Sequence, residues 1–455
     1  MPADSPEAAI LLSQLEPSQY YTTHDYERAE LTFARTRELA RRLGDASLEA
    51  RVLWSSALID ALELRMEHYV EKIQSALEHL HHVSDSSDRF RFLIWGVAAA
   101  LDRGDRTLAT EHLGKVRDLA HRDPVPDPYL EINALGVRHR IVTLEGNFPE
   151  SRKLSDQLLS LHSGGNTLAG RALLEAQTGD IDSARRYMNQ ALNSREFDPE
   201  NRRSAFSYMG TGQTIATYCR IVDHPEALEL AEELAAFVVS KGRFPLEIVN
   251  GMLGLAMVAV VRGDRRHCAH RYGELESIPH MIDHRSFSSM RVLGLLAAGA
   301  GNLDRAAEHF TAGAEFCRSA GFLPELAWIC YDYADALLQR GTAEDSLQAQ
   351  ALIEEGLAIA RKTGMPPLEG NFRALIAGIK GETLPDGLTK REAEVLRLIA
   401  RGGTNKEIAD ELFIVAKTVA GHIGNIYAKT GVSNRAEATA YAIRNGLAEE
   451  TPSAP

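Results

Sequence analysis

The chain has 455 residues, with 50 Lys and Arg against 63 Asp and Glu, a net charge of −13 and 44% hydrophobic residues. This balance excludes a disordered, collagen-like or disulfide-scaffold protein. Its acidity excludes a protein that coats nucleic acid over its whole surface, so any DNA contact must come from a local patch.

Cys219, Cys268, Cys317 and Cys330 are too few and too widely spaced for a disulfide framework and point to a reducing, cytoplasmic setting. Met1–Ser13 has no charged start before an apolar core and does not read as a signal peptide. The most apolar run, Ile248–Val261, contains Asn250 and two glycines. It is too short to span a membrane and reads as a buried helix, so no membrane partner is expected.

A repeat sets the architecture of the long N-terminal part. Glycine is followed by Asp or Asn, with a small residue four positions after the acid or amide: Gly104-Asp105 with Ala109, Gly146-Asn147 with Ser151, Gly179-Asp180 with Ala184, Gly263-Asp264 with Cys268, and Gly301-Asn302 with Ala306. Weaker copies are His24-Asp25 with Ala29, Val222-Asp223 with Ala227, and Gly341-Thr342 with Ser346. Leu64-Arg65 falls in phase but carries Tyr69 at the small position. Successive gaps are 40, 40, 42, 33, 43, 41, 38 and 40 residues, the length of two helices and two turns. Glycine ends one helix in the left-handed conformation, Asp or Asn caps the next, and the small residue lets the two approach. In the clearest unit, Leu173 and Leu174 lie on the first helix, and Ile181, Ala184, Tyr187, Met188 and Ala191 form the apolar stripe of the second. No segment alternates with period two. Residues 1–376 therefore read as all-helical, a solenoid of about nine hairpins.

The pattern breaks at Gly381-Glu-Thr-Leu-Pro385-Asp386-Gly387, so residues 377–387 read as a linker. Charge changes sign there: Asp386–Ala448 holds nine Lys/Arg and seven Asp/Glu, a net of +2. Residues 388–448 read as four helices before a tail, 449–455. Capping boxes at Thr389/Glu392 and Thr404/Glu407 open the first two helices. The first carries Val395, Leu396 and Ile399 inward and stops at Gly402-Gly403, and the second carries Ile408, Ala409 and Leu412. After the turn Phe413-Ile414-Val415, a third helix runs from Ala416 to Lys429 with Val419, Ile423 and Ile426 inward, and Gly431 ends it. Asn434 caps the fourth, where Ala438, Tyr441 and Ala442 form a buried or dimer face. Helix, short turn and helix make a helix-turn-helix.

The words LTKREAEVLRLIARG, TNKEIADELFI, KTV with the following His422, and KTGVSNRAEA resemble the LuxR-type (NarL/GerE-like) helix-turn-helix domain over about 60 residues. The resemblance implies that the third helix enters the DNA major groove. It implies phosphate contacts from Thr404, Lys406, Lys417, Thr418, Asn434 and Arg435, with Asn405 in the same DNA-binding set, and a groove-facing surface of Ala420, Gly421 and Gly424. His422, which in the family is more often structural or phosphate-facing, Asn425 and Lys429 are the other polar residues of the helix. It also implies a homodimer through the fourth helix, reading two half-sites of double-stranded DNA. The sequence departs from the family at the cap of the recognition helix, where Val415 replaces the usual Ser or Thr, and at Ala420, where Lys is common. Ala420, Gly421 and Gly424 offer base edges no hydrogen-bonding side chain, which points to weak base specificity or to reading of shape.

The hairpins resemble tetratricopeptide-type repeats, although most units exceed the usual 34 residues, and look more like the effector-sensing repeats of large ATP-dependent LuxR-family activators. That implies an effector ligand or partner protein bound along a concave surface.

No phosphate-binding Gly-x-x-x-x-Gly-Lys-Ser/Thr loop, nucleophile elbow or His-Glu-x-x-His motif occurs, and the chain reads as no enzyme, with no cofactor or metal. His267 and His270 flank Cys268 on a solvated helix, His79, His81 and His82 end a helix as dipole partners, and Trp54, Trp95 and Trp328 read as hairpin core. The expectation is a cytoplasmic transcription regulator whose solenoid senses an effector and controls a dimeric DNA-binding domain. The alternative is an interaction scaffold whose helix-turn-helix has lost base reading.

Overall fold

A computed structural model describes residues 6–122, 128–202, 204–281, 287–381, 385–388, 390–412, 416–445 and 447–448. The chain forms two compact units, Met1–Ala336 with Ala349–Glu369, and Leu337–Gln348 with Gly370–Pro455. Every element longer than a single bridge residue among the described residues is helical.

Helices follow one another as hairpins: α1 (Pro6–Thr23) and α2 (Tyr26–Leu43), α3 (Ala46–Leu62) and α4 (Met66–Glu78), α5 (Ser86–Asp102) and α6 (Arg106–Arg122), α7 (Pro128–Leu144) and α8 (Phe148–Leu161), α9 (Gly165–Thr178) and α10 (Ile181–Leu192). Then come α11 (Thr211–Cys219) and α12 (Pro225–Lys241), α13 (Pro245–Arg262) and α14 (Arg265–Leu275), α15 (Ser289–Ala300) and α16 (Leu303–Ala320), α17 (Leu323–Arg340) and α18 (Ala343–Thr363), and a last helix α19 (Pro366–Gly381). This is the solenoid of nine hairpins expected from the repeat. Helix α19 continues through Gly381, over the first residues of the stretch read as a linker.

Eight of the nine repeat positions hold a left-handed backbone, including His24 (φ 55°) and Leu64 (φ 59°), where a side chain costs roughly 1–2 kcal/mol. The ninth, Val222, does not. There Pro225 opens α12, and the residue before it, His224, is held extended at φ −153°. Asp25, Asp105, Asn147, Asp180, Asp264 and Asn302 each accept the backbone amide three residues on, at 2.9–3.3 Å. Arg65 makes no such cap. Ala29, Ala109, Ser151, Ala184, Ala227, Cys268 and Ala306 are all buried. Tyr69 is buried too, so an aromatic ring replaces the small residue at that interface. Ser346 is exposed instead. Its hairpin is held by Asp345 and Thr342, each accepting the other's amide at 3.1 Å. The Arg340 guanidinium bonded to Asp345 holds that carboxyl down at about 2.

The Ile248–Val261 run proves longer than its apolar core. Pro245 starts α13 early and Gly263 ends it in the left-handed conformation, giving 18 residues with mean hydropathy 1.5. The helix is thus long and apolar enough to cross a membrane by length and composition alone, longer than the sequence run suggested, but it is the buried helix that the run was read as. Of its residues 56% are buried, and it packs on α11, α12, α14 and α15.

First helices of successive hairpins also touch one another, as in α1–α3, α5–α7, α9–α11, α11–α13 and α13–α15, which puts them on the inner side of the curve. The curve is tight enough for one hairpin to rest on the fifth after it. The first turn meets Phe244, whose ring stacks on Tyr20 at 5.6 Å and lies 4.9 Å from His24. A Cβ on Gly104, in the third turn, would sit 3.0 Å from Ala320 Cβ at the end of α16. One on Gly146, in the fourth, would collide with Thr363 at the end of α18. Left-handed backbone and close approach coincide at these two glycines.

The C-terminal end of α11 is joined to α15 and α17 by a largely buried ion cluster. Arg220 donates to both Asp332 oxygens at 2.8 and 3.2 Å, and Arg291 donates to Asp332 at 2.8 Å and to Glu325 at 3.0 Å. Both guanidinium groups also lie over the Trp328 ring, at 5.4 and 5.1 Å. Burial pushes the Asp332 carboxyl up, but Arg220 and Arg291 outweigh it and hold it ionised below its ordinary range. Trp328 is core as expected, while Trp54 and Trp95 are half-buried and packed on Phe92 and Tyr69. His267 and His270 are exposed, beside Asp264 and Glu274, and Cys268 fills the hairpin interface.

Candidate nucleic-acid interface

Four helices build the C-terminal fold: α20 (Lys390–Ala400), α21 (Asn405–Glu411), α22 (Ala416–Thr430) and α23 (Arg435–Arg444). Their core is the expected apolar set. Val395, Leu396, Ile399, Ile408, Ala409, Val419, Ile426, Ala438, Tyr441 and Ala442 are buried, with Leu412 and Ile423 packed against them. Ala438, Tyr441 and Ala442 thus serve this domain's own core, and the exposed side of α23 is Ala436, Ala440 and Arg444. Tyr441 donates to Asp386 at 2.6 Å, tying the segment before α20 to the last helix. Burial and that bond push the Tyr441 phenol up to about 12.

The start of α21 is the capping box read from the sequence. The Thr404 amide donates to Glu407 at 2.7 Å and the Glu407 amide to Thr404 Oγ1 at 3.3 Å. The Thr404 amide, then its hydroxyl, hold the Glu407 carboxyl below its ordinary range. Thr404 and Lys406 are exposed. Asn405 accepts from Arg435 Nη1 at 3.1 Å, and Arg435 Nη2 donates to the Gly403 carbonyl. Asn434 caps α23 by accepting the Glu437 amide at 3.0 Å. The fold therefore brings Thr404, Asn405, Lys406, Asn434 and Arg435 to one end, where the starts of α21 and α23 meet. Arg435 serves partly as the strut that joins them.

On α22, Ala420, Gly421, Gly424 and Asn425 are exposed, and His422 is half-buried. Burial pushes the His422 imidazole below its ordinary value, with Arg391 adding to this against Glu392. Lys429 is drawn back into the domain by a 2.7 Å bond to the buried Glu392. Thr389, Phe413, Ile414, Val415 and the tail lie outside the described residues, as do the side chains of Lys417 and Thr418. Among the ties that sequence reasoning missed are Lys429 to Glu392 and Arg391 to the Leu412 carbonyl at 2.6 Å. Both join residues more than 20 positions apart, beyond the reach of helix-spacing rules.

A Cβ at Gly421 or Gly424 would meet nothing within 4 Å. Gly421→Ala and Gly424→Ala are therefore each expected to stabilise the C-terminal unit by about 1 kcal/mol, read as a rise in its unfolding midpoint. A fall at either site would mean that the helix needs glycine there.

Residues 386–442 match the family described as bacterial regulatory proteins, luxR family (GerE). Three regulators illustrate the similarity. The transcriptional regulatory protein LiaR of Bacillus subtilis (strain 168) is 60% identical over 102 residues, 21% of this chain and 48% of LiaR. The uncharacterized transcriptional regulatory protein YxjL of the same strain is 35% identical over 114 residues, 25% of this chain and 52% of YxjL. The oxygen regulatory protein NreC of Staphylococcus aureus (strain JH9) is 47% identical over 62 residues, 14% of this chain and 29% of NreC. The chain thus spans about half or less of the length of these relatives. A solved structure, a circular tandem repeat protein with novel repeat topology and enhanced subunit contact surfaces, aligns over 82% of this chain and 96% of its own at 16% identity. Its TM-score of 0.18 is too low to bear on the fold. The C-terminal segment carries a GerE/LuxR-type helix-turn-helix, homologous to that of DNA-binding transcriptional regulators.

Proposed function

We propose that the chain is a cytoplasmic transcription regulator of two domains. Residues 388–448 bind promoter DNA as a dimer, and the hairpin stack of residues 1–376 senses an effector ligand or partner protein. The observation that carries this reading is the helix-turn-helix match, joined to an exposed α22 face and to a capped α21 start with Thr404 and Lys406 in solvent. Thr404, Asn405, Lys406, Lys417, Thr418, Asn434 and Arg435 hold phosphates, while Ala420, Gly421, His422, Gly424 and Asn425 face the groove. Lys429 contributes charge only as far as its bond to Glu392 permits. Dimerisation uses the exposed Ala436, Ala440 and Arg444 side of α23, because Ala438, Tyr441 and Ala442 are spent on the core.

Regulation requires the stack and the DNA-binding domain to bias each other through two states. Removing residues 1–380 is expected to change DNA affinity and reporter transcription relative to the full chain. Unchanged affinity and unchanged transcription would remove the coupling from this account. A second reading, an interaction scaffold, is favoured by one observation: Ala420, Gly421 and Gly424 themselves carry no side-chain donor or acceptor, which leaves Asn425 as the single amide on the exposed face. A scaffold would show no salt-dependent DNA binding.

A further inference from the structure

Resting on the DNA-binding reading above, we infer that the exposed face of α22 selects A·T base pairs, with Asn425 reading adenine and the Ala420 methyl group meeting the methyl group of thymine. Helical spacing puts Gly421, Gly424, Asn425 and Ala428 on one face, with Ala420 at its edge. All five are exposed.

Each base edge demands its own partner. Guanine is read by Arg or Lys on O6 and N7, and cytosine by a carboxylate on its amino group. The described side chains of that face hold no Arg, Lys, Asp or Glu; the flanking Lys429 is bonded to Glu392, and Lys417, one turn before Gly421 and assigned above to phosphate, lies outside the described side chains. Adenine is read by a side-chain amide bonded to N6 and N7 together, and the thymine methyl by a small apolar group. Asn425 supplies the amide, which has no hydrogen-bond partner among the described residues, and Ala420 supplies the methyl group.

The two glycines complete the device. Asn is a short side chain and reaches a base only if the helix backbone comes close. With nothing within 4 Å of the missing Cβ positions, Gly421 and Gly424 leave the face open for that approach.

The test is selection from a random-sequence duplex pool by the full chain across a salt series, followed by binding of the selected duplex and its base analogues. Wild type is expected to enrich A·T pairs at the positions facing α22. It should bind more weakly when 7-deazaadenine removes N7 or when deoxyuridine removes the thymine methyl. Asn425→Ala, a change on an exposed helix surface, should lose roughly ten-fold in adenine preference and become indifferent to 7-deazaadenine. Enrichment of G·C pairs, or an adenine preference unaltered in Asn425→Ala, would overturn the inference while leaving DNA binding intact. Absence of salt-dependent binding to any duplex would bring down the DNA-binding reading and this inference with it.

Discussion

Asp332→Asn is expected to destabilise the hairpin unit by about 3–5 kcal/mol, read as a lowered denaturant midpoint. The substitution leaves the buried Arg291 with Glu325 alone and Arg220 with no carboxylate, and an uncompensated buried charge carries that cost. The effect has a direction in pH. Arg220 and Arg291 hold the Asp332 carboxyl below its ordinary value of 3.8, so its contribution is present above that value and is lost as pH falls through the folded pKa. The loss in Asp332→Asn should therefore be largest near neutrality and shrink in acid. A loss below about 1 kcal/mol would mean that water reaches the cluster and that it does not brace α11, α15 and α17.

Phe244→Ala tests the second feature of the stack, its closure on itself five hairpins along. Phe244 is 4% exposed and packs with Tyr20, Tyr21 and His24 from the first hairpin. Truncating a buried Phe costs about 3–5 kcal/mol. Because the lost contacts join distant hairpins, α1 and α2 should also gain faster amide hydrogen exchange before the rest of the unit opens. Protection lost evenly over all hairpins would show that Phe244 acts only within its own neighbourhood.

What the sequence revealed follows from what a repeat encodes locally. A glycine, a cap and a small residue act within five positions, so the nine hairpins were legible, even at His24 and Leu64, where the left-handed backbone survives without glycine. The exceptions have local causes too. Pro225 overrides the turn at Val222, and the reciprocal Thr342–Asp345 cap secures the last hairpin without burying Ser346. Curvature was not legible. It depends on small rotations between hairpins that no single motif states, and so Phe244, Arg220 and Asp332 carried no signal in advance. The true length of α13 was hidden because the apolar run and the helix have different ends, set by Pro245 and Gly263.

The C-terminal domain divides in the same way. Its core pattern and its caps at Thr404 and Asn434 could be read directly. The partners of Lys429 and Arg435 could not, because Glu392 and Asn405 lie 37 and 30 positions away. Those bonds alter the site by engaging two cations with the scaffold. Charge available for phosphate then rests more heavily on Lys406 and Lys417.

The most direct test is the salt dependence of duplex binding by the full chain, compared with Lys406→Ala/Lys417→Ala. Log affinity is expected to fall linearly with log salt concentration, and the double variant to bind more weakly with a slope smaller by about 2. Binding with no salt slope, or a slope that the two substitutions leave unchanged, would contradict the assignment of this face to DNA.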